Sequence, residues 1–288
     1  MLSAQSPESL KQVGHWQAKL SLGFEKKGDK TIVASRKHSG PYVIQRPFYP
    51  EQDGICHNYL LYPPGGMVSG DDLKLELKLE KGAQALLTAP SAGKVYLCPT
   101  SAARQTQHFQ VNHGALLEWL PQEMILFNGA KASFETHIVL QDESSQFIGW
   151  ELTCLGRRAG KLWYESGFFS QVLTIKRGDQ WLLNERLAFD SPADWIQASW
   201  GGHGYTVLAT AVFAMENLGW IESLRQLISQ HRWREQMLAA VTEVRGILVL
   251  RVMGHQAYQV RELLVDAWQM ARNMGLSKEA QWPRIWMT

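Results

Sequence analysis

The chain has 288 residues, 45% of them hydrophobic and 19% charged, which suits one large or two ordinary globular domains with a full apolar core. Its formal net charge is only +2, and Lys26, Lys27 and Lys30 are the nearest approach to a basic cluster, so the basic stripe of a nucleic-acid binder is excluded. The three cysteines, Cys56, Cys98 and Cys154, lie far apart and are odd in number, which argues against a disulfide framework and for a reducing compartment.

The opening MLSAQSPESLKQVGHW has no apolar core of a secretory signal, so a cytoplasmic location is expected. Strand-like runs then follow at residues 17–24, 31–36 and 42–48. The clearest run is LKLELKLE at 73–80, with leucine at every odd position and Lys or Glu at every even one; this period of two predicts one buried and one wet face. Further runs lie at 83–89, 103–111, 115–120, 133–140, 147–155, 169–176 and 181–189. Turn residues separate them: Lys27-Gly28-Asp29, His113-Gly114, Asn128-Gly129 and Arg177-Gly178-Asp179. Many short strands with regular turns predict a mainly β body, with no fixed-period repeat.

The last third differs. Gly201-Gly202-His203-Gly204 reads as a bend. The apolar run 207–215 reads as a buried strand, too short to cross a bilayer, so no membrane partner is expected. Leu218, Ile221, Leu224 and Leu227 recur at helical spacing, strands are expected at 238–244 and 247–253, and Ala257, Val260, Leu264, Ala267, Trp268, Ala271 and Met274 mark a helix face. Gly275 is placed to cap that helix. The expected organisation is a β-rich body over 1–200 and an α/β part over 201–288 packed on it. Of the many tryptophans, Trp282 and Trp286 are candidates for docking the tail or meeting a partner.

Enzyme signatures are not met. Gly93-Lys94 lacks the glycine and the Ser or Thr of a phosphate loop, since Thr88 and Val95 occupy those positions. Ser91 lacks the preceding glycine of a nucleophile elbow, and Gly202-His203-Gly204 lacks the third glycine of a dinucleotide loop. Cys56 and His57 are adjacent potential ligands, but neighbours on a strand point to opposite faces. Carboxylates inside apolar runs are more informative: Glu118, Glu123 and Glu151. A buried carboxylate is costly unless paired or bound to a cation. Either alternation puts each on a wet face, or an arginine such as Arg157 or Arg158 pairs with it, or they mark an internal polar path for cations.

Several segments together resemble one family. Tyr62-Pro-Pro-Gly-Gly-Met-Val-Ser-Gly-Asp71 is similar to the His-Pro-Pro-Gly-Gly-x-x-x-Gly-Asp signature of the urease accessory protein UreD (UreH) family. Leu87-Thr-Ala-Pro-Ser-Ala-Gly-Lys-Val-Tyr96, Leu117-Glu-Trp-Leu-Pro-Gln-Glu123 and Trp150-Glu-Leu-Thr-Cys-Leu-Gly-Arg157 resemble its next segments, in the family's order. The resemblance covers roughly residues 15 to 190 and is weaker beyond. Tyr62 stands where the family often has His and Ser91 where it often has Gly, so position 62 lacks an imidazole ligand. The resemblance implies a mostly β, helix-like stack of strands with few helices, in keeping with the about two helices read in the C-terminal part. It implies no catalysis and no resident cofactor, but a chaperone that transiently meets Ni2+. The implied partners are apo-urease, a helical accessory adaptor and a nickel-binding accessory GTPase. Asp71, Glu118, Glu123, Glu151, His57 and Cys56 are the candidate transit ligands; hard oxygen donors hold nickel weakly, which suits passage. The alternatives are a β-rich hydrolase with dispersed acid and base, favoured by a pocket with two facing carboxylates, and a pure adaptor, favoured by a solid interior.

Overall fold

The computed structural model describes residues 15–287. The strands in chain order are β1 (Gln17–Lys27), β2 (Lys30–Ser39), β3 (Val43–Ile44), β4 (Cys56–Leu61), β5 (Asp72–Leu79), β6 (Gln84–Thr88), β7 (Gly93–Val95), β8 (Ala103–Val111), β9 (Leu116–Trp119), β10 (Met124–Leu126), β11 (Lys131–Leu140), β12 (Gln146–Arg157), β13 (Leu162–Trp163), β14 (Phe168–Arg177) and β15 (Gln180–Phe189). A short helix α1 (Pro192–Gln197) leads to β16 (Val207–Ala214), α2 (Ile221–Gln230), β17 (Met237–Val244), β18 (Ile247–Gly254) and α3 (Ala257–Met270).

The alternation in LKLELKLE is realised on β5. Leu73, Leu75, Leu77 and Leu79 are buried, while Lys74 and Lys78 face water. β5 lies mid-sheet in a seven-stranded sheet of order β15-β14-β11-β8-β5-β1-β2. The inner pairs β1–β5, β5–β8, β8–β11 and β11–β14 are all parallel, and the edge strands β2 and β15 pair antiparallel. Parallel neighbours cannot be joined by a hairpin. Here each return passes through a second sheet, in which β4, β6, β9 and β12 are again parallel. A third narrow face is made by β7, β10 and the C-terminal half of β12. One turn of the chain therefore runs β5–β6–β7, the next β8–β9–β10, and the next β11 followed by the two halves of β12. This is the helix-like stack that the family resemblance implied. The turns begin at Asp72, Ala103, Lys131 and Phe168, so their lengths differ and leave no fixed period in the sequence.

The C-terminal part continues the second sheet. β16 pairs antiparallel with β12, followed by β18 and β17. Helices α2 and α3 cover the outer face of this sheet, giving two cores. One fills the stack, with Leu20, Leu75, Leu117, Trp119 and Ile175. The other lies between the sheet and the helices, with Leu116, Leu120, Trp150, Leu250, Leu264 and Trp268. Strands such as β9 are thus buried on both faces. The tail closes over this second core: Trp286 Nε1 donates to Thr88 Oγ1 at 3.0 Å, and its ring packs near Trp150 and Trp268.

Some expectations need correction. β4, β7, β10 and α1 were not expected as elements, and the run 42–48 narrows to β3. β7 and β10 have three residues each, too few for periodicity to register. Gly275 does not act as a left-handed cap. The helix runs on as a wide turn over Ala271–Gly275, and the left-handed residue is Ser277, at φ 54°. Gly275 instead packs closely: a Cβ there would lie 2.4 Å from the terminal methyl of Met215, which would have to shift.

Candidate functional site

The strand register builds a polar end into the stack. Successive inward layers across β5, β8, β11 and β14 are Leu73–Gln105–Phe134–Gln171 and Leu75–Gln107–Thr136–Leu173, then Leu77–Phe109–Ile138–Ile175. Glutamine and threonine occupy the first two layers, where the apolar packing gives way to a cavity of about 180 Å³. Its walls include Tyr62, Gly65 and Gly66 of the proline–glycine loop, Ala89 to Lys94, Trp119, Met124 and Glu151. A second cavity of about 270 Å³ lies toward the C-terminal strands and is lined by Leu173, Glu185, Trp195, Ala209, Thr210 and Arg251, among others. Glu151 and Gln171 line both cavities.

Glu151 sits on β12, in register with Thr210 of β16. Its carboxylate accepts from Thr136 Oγ1 and from Gln171 Nε2. Burial pushes its pKa up to about 7, opposed by those two hydrogen bonds and reinforced by the charge of Glu185. Thr136 Oγ1 also lies 3.2 Å from Gln107 Oε1. A protonated Glu151 can therefore donate to Thr136, which donates on to Gln107; an ionised Glu151 accepts from Thr136 instead. A pKa raised to about 7 places the change between a neutral chain and a half-buried anion near neutral pH. Beyond it, Glu185 is paired with Arg251 at 2.8 Å.

The proline–glycine loop forms one wall of the first cavity. It is stitched to β7 by Met67 N to Lys94 O at 2.7 Å and Tyr96 N to Met67 O at 2.9 Å. Gly65 and Gly70 adopt φ of 78° and 79°, a region that penalises a Cβ. Asp71 closes the loop: its Oδ1 accepts from Trp16 N at 2.8 Å and its Oδ2 from Val68 N at 2.9 Å. Both oxygens of this buried side chain therefore serve backbone amides.

Glu118 has no wet face, because α3 covers β9. It is fully buried and accepts from Arg272 Nε and Nη2, at 3.1 and 2.9 Å, and from Trp268 Nε1 at 2.6 Å. The pairing arginine comes from the C-terminal helix and is neither Arg157 nor Arg158. Arg272 Nη1 also reaches Glu51 Oε2 at 2.7 Å, and Glu51 Oε1 meets His57 Nε2 at 2.7 Å. Burial alone would raise the Glu51 pKa, but hydrogen bonds from His57 and Arg272 bring it below its ordinary value. Cys56, next to His57, turns into the stack core and contacts Asn58 Nδ2 at 3.3 Å. The opposite-facing reading of this pair fits that placement. Glu123 is half-buried, and its charge acts on Arg261 and Cys154.

Sequence reasoning missed Gln107, Thr136 and Gln171, whose inward direction depends on register, and Glu51 and Arg272, which pair across distant segments. It also missed His231, Glu262 and Asp266. Among the described residues, these three form a group with ligand atoms close enough to hold a metal ion. The spacing of Glu262 and Asp266 on one face of the expected helix was the available signal.

A sequence model of the UreD urease accessory protein family matches residues 17–287. The chain belongs to the UreD family. Among its relatives, the urease accessory protein UreD of Chromohalobacter salexigens is 39% identical over 95% of this chain and 90% of its own length. UreD of Aliivibrio fischeri strain ES114 is 38% identical over 95% and 96%, and that of Marinobacter nauticus 40% over 95% and 93%. The match includes the C-terminal third, where the motifs were weaker. UreD proteins are non-catalytic chaperones that assist nickel insertion into urease. No helix among the described residues is long and apolar enough to cross a membrane.

Proposed function

We propose that this UreD-family chain is a scaffold in urease maturation that also conducts Ni2+ through its interior toward apo-urease, alongside a helical accessory adaptor and a nickel-binding accessory GTPase. The observation that carries the reading is Glu151, a half-buried carboxylate lining two adjoining pockets at once, with a pKa raised to about 7. A divalent cation arriving at Glu151 displaces its proton and meets oxygen donors from Thr136 and Gln107. Such donors hold nickel weakly and release it readily. On this reading Glu151 is the transit ligand. Glu118 is neutralised by Arg272, Asp71 serves the loop backbone, and Cys56, His57 and Glu123 lie outside the cavity walls.

Glu151 and Glu185 line the second cavity together, but Glu185 is tied to Arg251 at 2.8 Å, so the pair offers no free base for a hydrolase. Glu135 also touches the first cavity, but its side chain is 47% exposed and pairs with His137, while Glu151 points inward from β12. Two polar pockets that share Glu151 and Gln171 favour the conduit over a pure adaptor. The test is co-expression with apo-urease and the two partners, with nickel-dependent urease activity as readout. Omitting this chain should abolish activation. Glu151→Ala should keep the assembled complex, judged by co-purification, and lose most of the activation; full activation by that variant would overturn the conduit while leaving the scaffold.

A further inference from the structure

We infer that His231, Glu262 and Asp266 form a binding site for a first-row divalent cation such as Ni2+ or Zn2+, on the outer side of the molecule and separate from the Glu151 cavities. His231 follows the last turn of α2, while Glu262 and Asp266 stand one turn apart on α3. The His231 side chain is 3% exposed, and its Nε2 has no hydrogen-bond partner. That nitrogen aims at Asp266 Oδ2, 3.6 Å away, and at Glu262 Oε1, 3.9 Å away. Both separations are too long for hydrogen bonds. They approach the spacing of two ligands around one ion: with bonds of about 2.1 Å in a tetrahedral array, neighbouring ligands lie about 3.4 Å apart.

The surroundings orient the ligands. Glu262 Oε2 is held by Arg232 and by Trp233 Nε1, the latter at 3.1 Å, which leaves Oε1 free toward His231. Outer partners of this kind fix a metal-binding carboxylate. One imidazole and two carboxylates form a donor set suited to nickel, cobalt or zinc. One feature moderates the affinity. Trp233 N–H approaches His231 Nδ1 at 3.3 Å, which favours the proton on Nε2. Loading the ion moves the imidazole to its other tautomer, with Nε2 bare and Nδ1 protonated, and forfeits the Trp233 contact. The ion would pin the end of α2 to α3.

Equilibrium dialysis of the purified full chain against Ni2+ at neutral pH tests the site, because stoichiometry is read without any urease activity. Asp266→Asn and His231→Gln should each bind one ion fewer than the wild type at matched free nickel, or bind that ion at least about tenfold more weakly. Glu243→Gln, an exposed carboxylate on β17, should bind like the wild type. Unchanged stoichiometry and affinity in both site variants would overturn the proposal. Histidine-selective NMR of the wild type decides independently should a variant not fold. The first equivalent of Ni2+ should broaden the His231 ring signals before those of His108 and His137, and an unaffected His231 would sink the site. The conduit stands or falls separately, since Glu151→Ala leaves these three residues intact.

Discussion

Arg272 shows how much a single side chain can organise here. It bridges Glu118 and Glu51 in a site closed to water. Arg272→Met would leave two buried carboxylates without their cation. Breaking such a pair from one side costs about 3–5 kcal/mol, so urea unfolding should show a loss of that order, and Arg272→Met combined with Glu118→Gln should lose less than Arg272→Met alone. Glu151 makes the opposite case, a half-buried acid with no counter-ion. Its pKa is raised from 4.5 to about 7, so the folded state binds this proton more tightly than the unfolded chain. The group therefore favours the native state most below about pH 4.5 and loses that contribution as pH rises through 7. The stability of the wild type relative to Glu151→Gln should fall by about 3 kcal/mol between pH 4.5 and 8, measured by urea titrations at several pH values. A flat difference would mean that the carboxylate stays solvated.

At the scale of elements, the loop between β4 and β5 separates two uses of glycine. Gly65 has φ 78° and nothing within 4 Å of a built Cβ, so only its backbone conformation demands glycine. Gly65→Ala should cost about 1 kcal/mol. Gly66 has an unexceptional φ, but a Cβ would lie 2.4 Å from Tyr96 Cε2. Gly66→Ala should cost more than Gly65→Ala, because the ring must shift and Tyr96 stacks on Phe127 with centroids 5.2 Å apart. Thermal melts of the two variants give the order, and equal losses would contradict it. The loop's rigidity matters to the cavity, because Gly65 and Gly66 line it directly.

At the scale of the molecule, the second sheet is shared. Its parallel strands β4, β6, β9 and β12 close the stack, and its antiparallel strands β16, β18 and β17 carry the helices. Glu118 of β9 is bound by Arg272, just beyond α3, and Trp286 of the tail reaches Thr88 of β6. We expect residues 201–288 and the preceding β body to unfold as one cooperative unit, since neither can leave without exposing a face of the same strands. Calorimetry should give a single transition with matching calorimetric and van't Hoff enthalpies. Two resolved transitions would instead support separate domains.

The strand alternation of β5, the apolar run of β16 and the face of α3 were legible in the sequence because each depends on neighbours a few residues away. The family was legible too, because its motifs are contiguous runs in the family's order, from the proline–glycine loop before β5 to strands β9 and β12. Tertiary structure alone decided what the buried carboxylates do. Alternation could say that Glu118 and Trp119 face opposite ways, but not that α3 would cover the Glu118 side and that the turn after it would supply Arg272. Nor could it say that Gln107, Thr136 and Gln171 would gather around Glu151. Those outcomes depend on the register of strands tens of residues apart, and on which end of the stack runs out of apolar side chains. A lone carboxylate's charge state depends on its partners and its distance from water, and both arise only when distant segments pack.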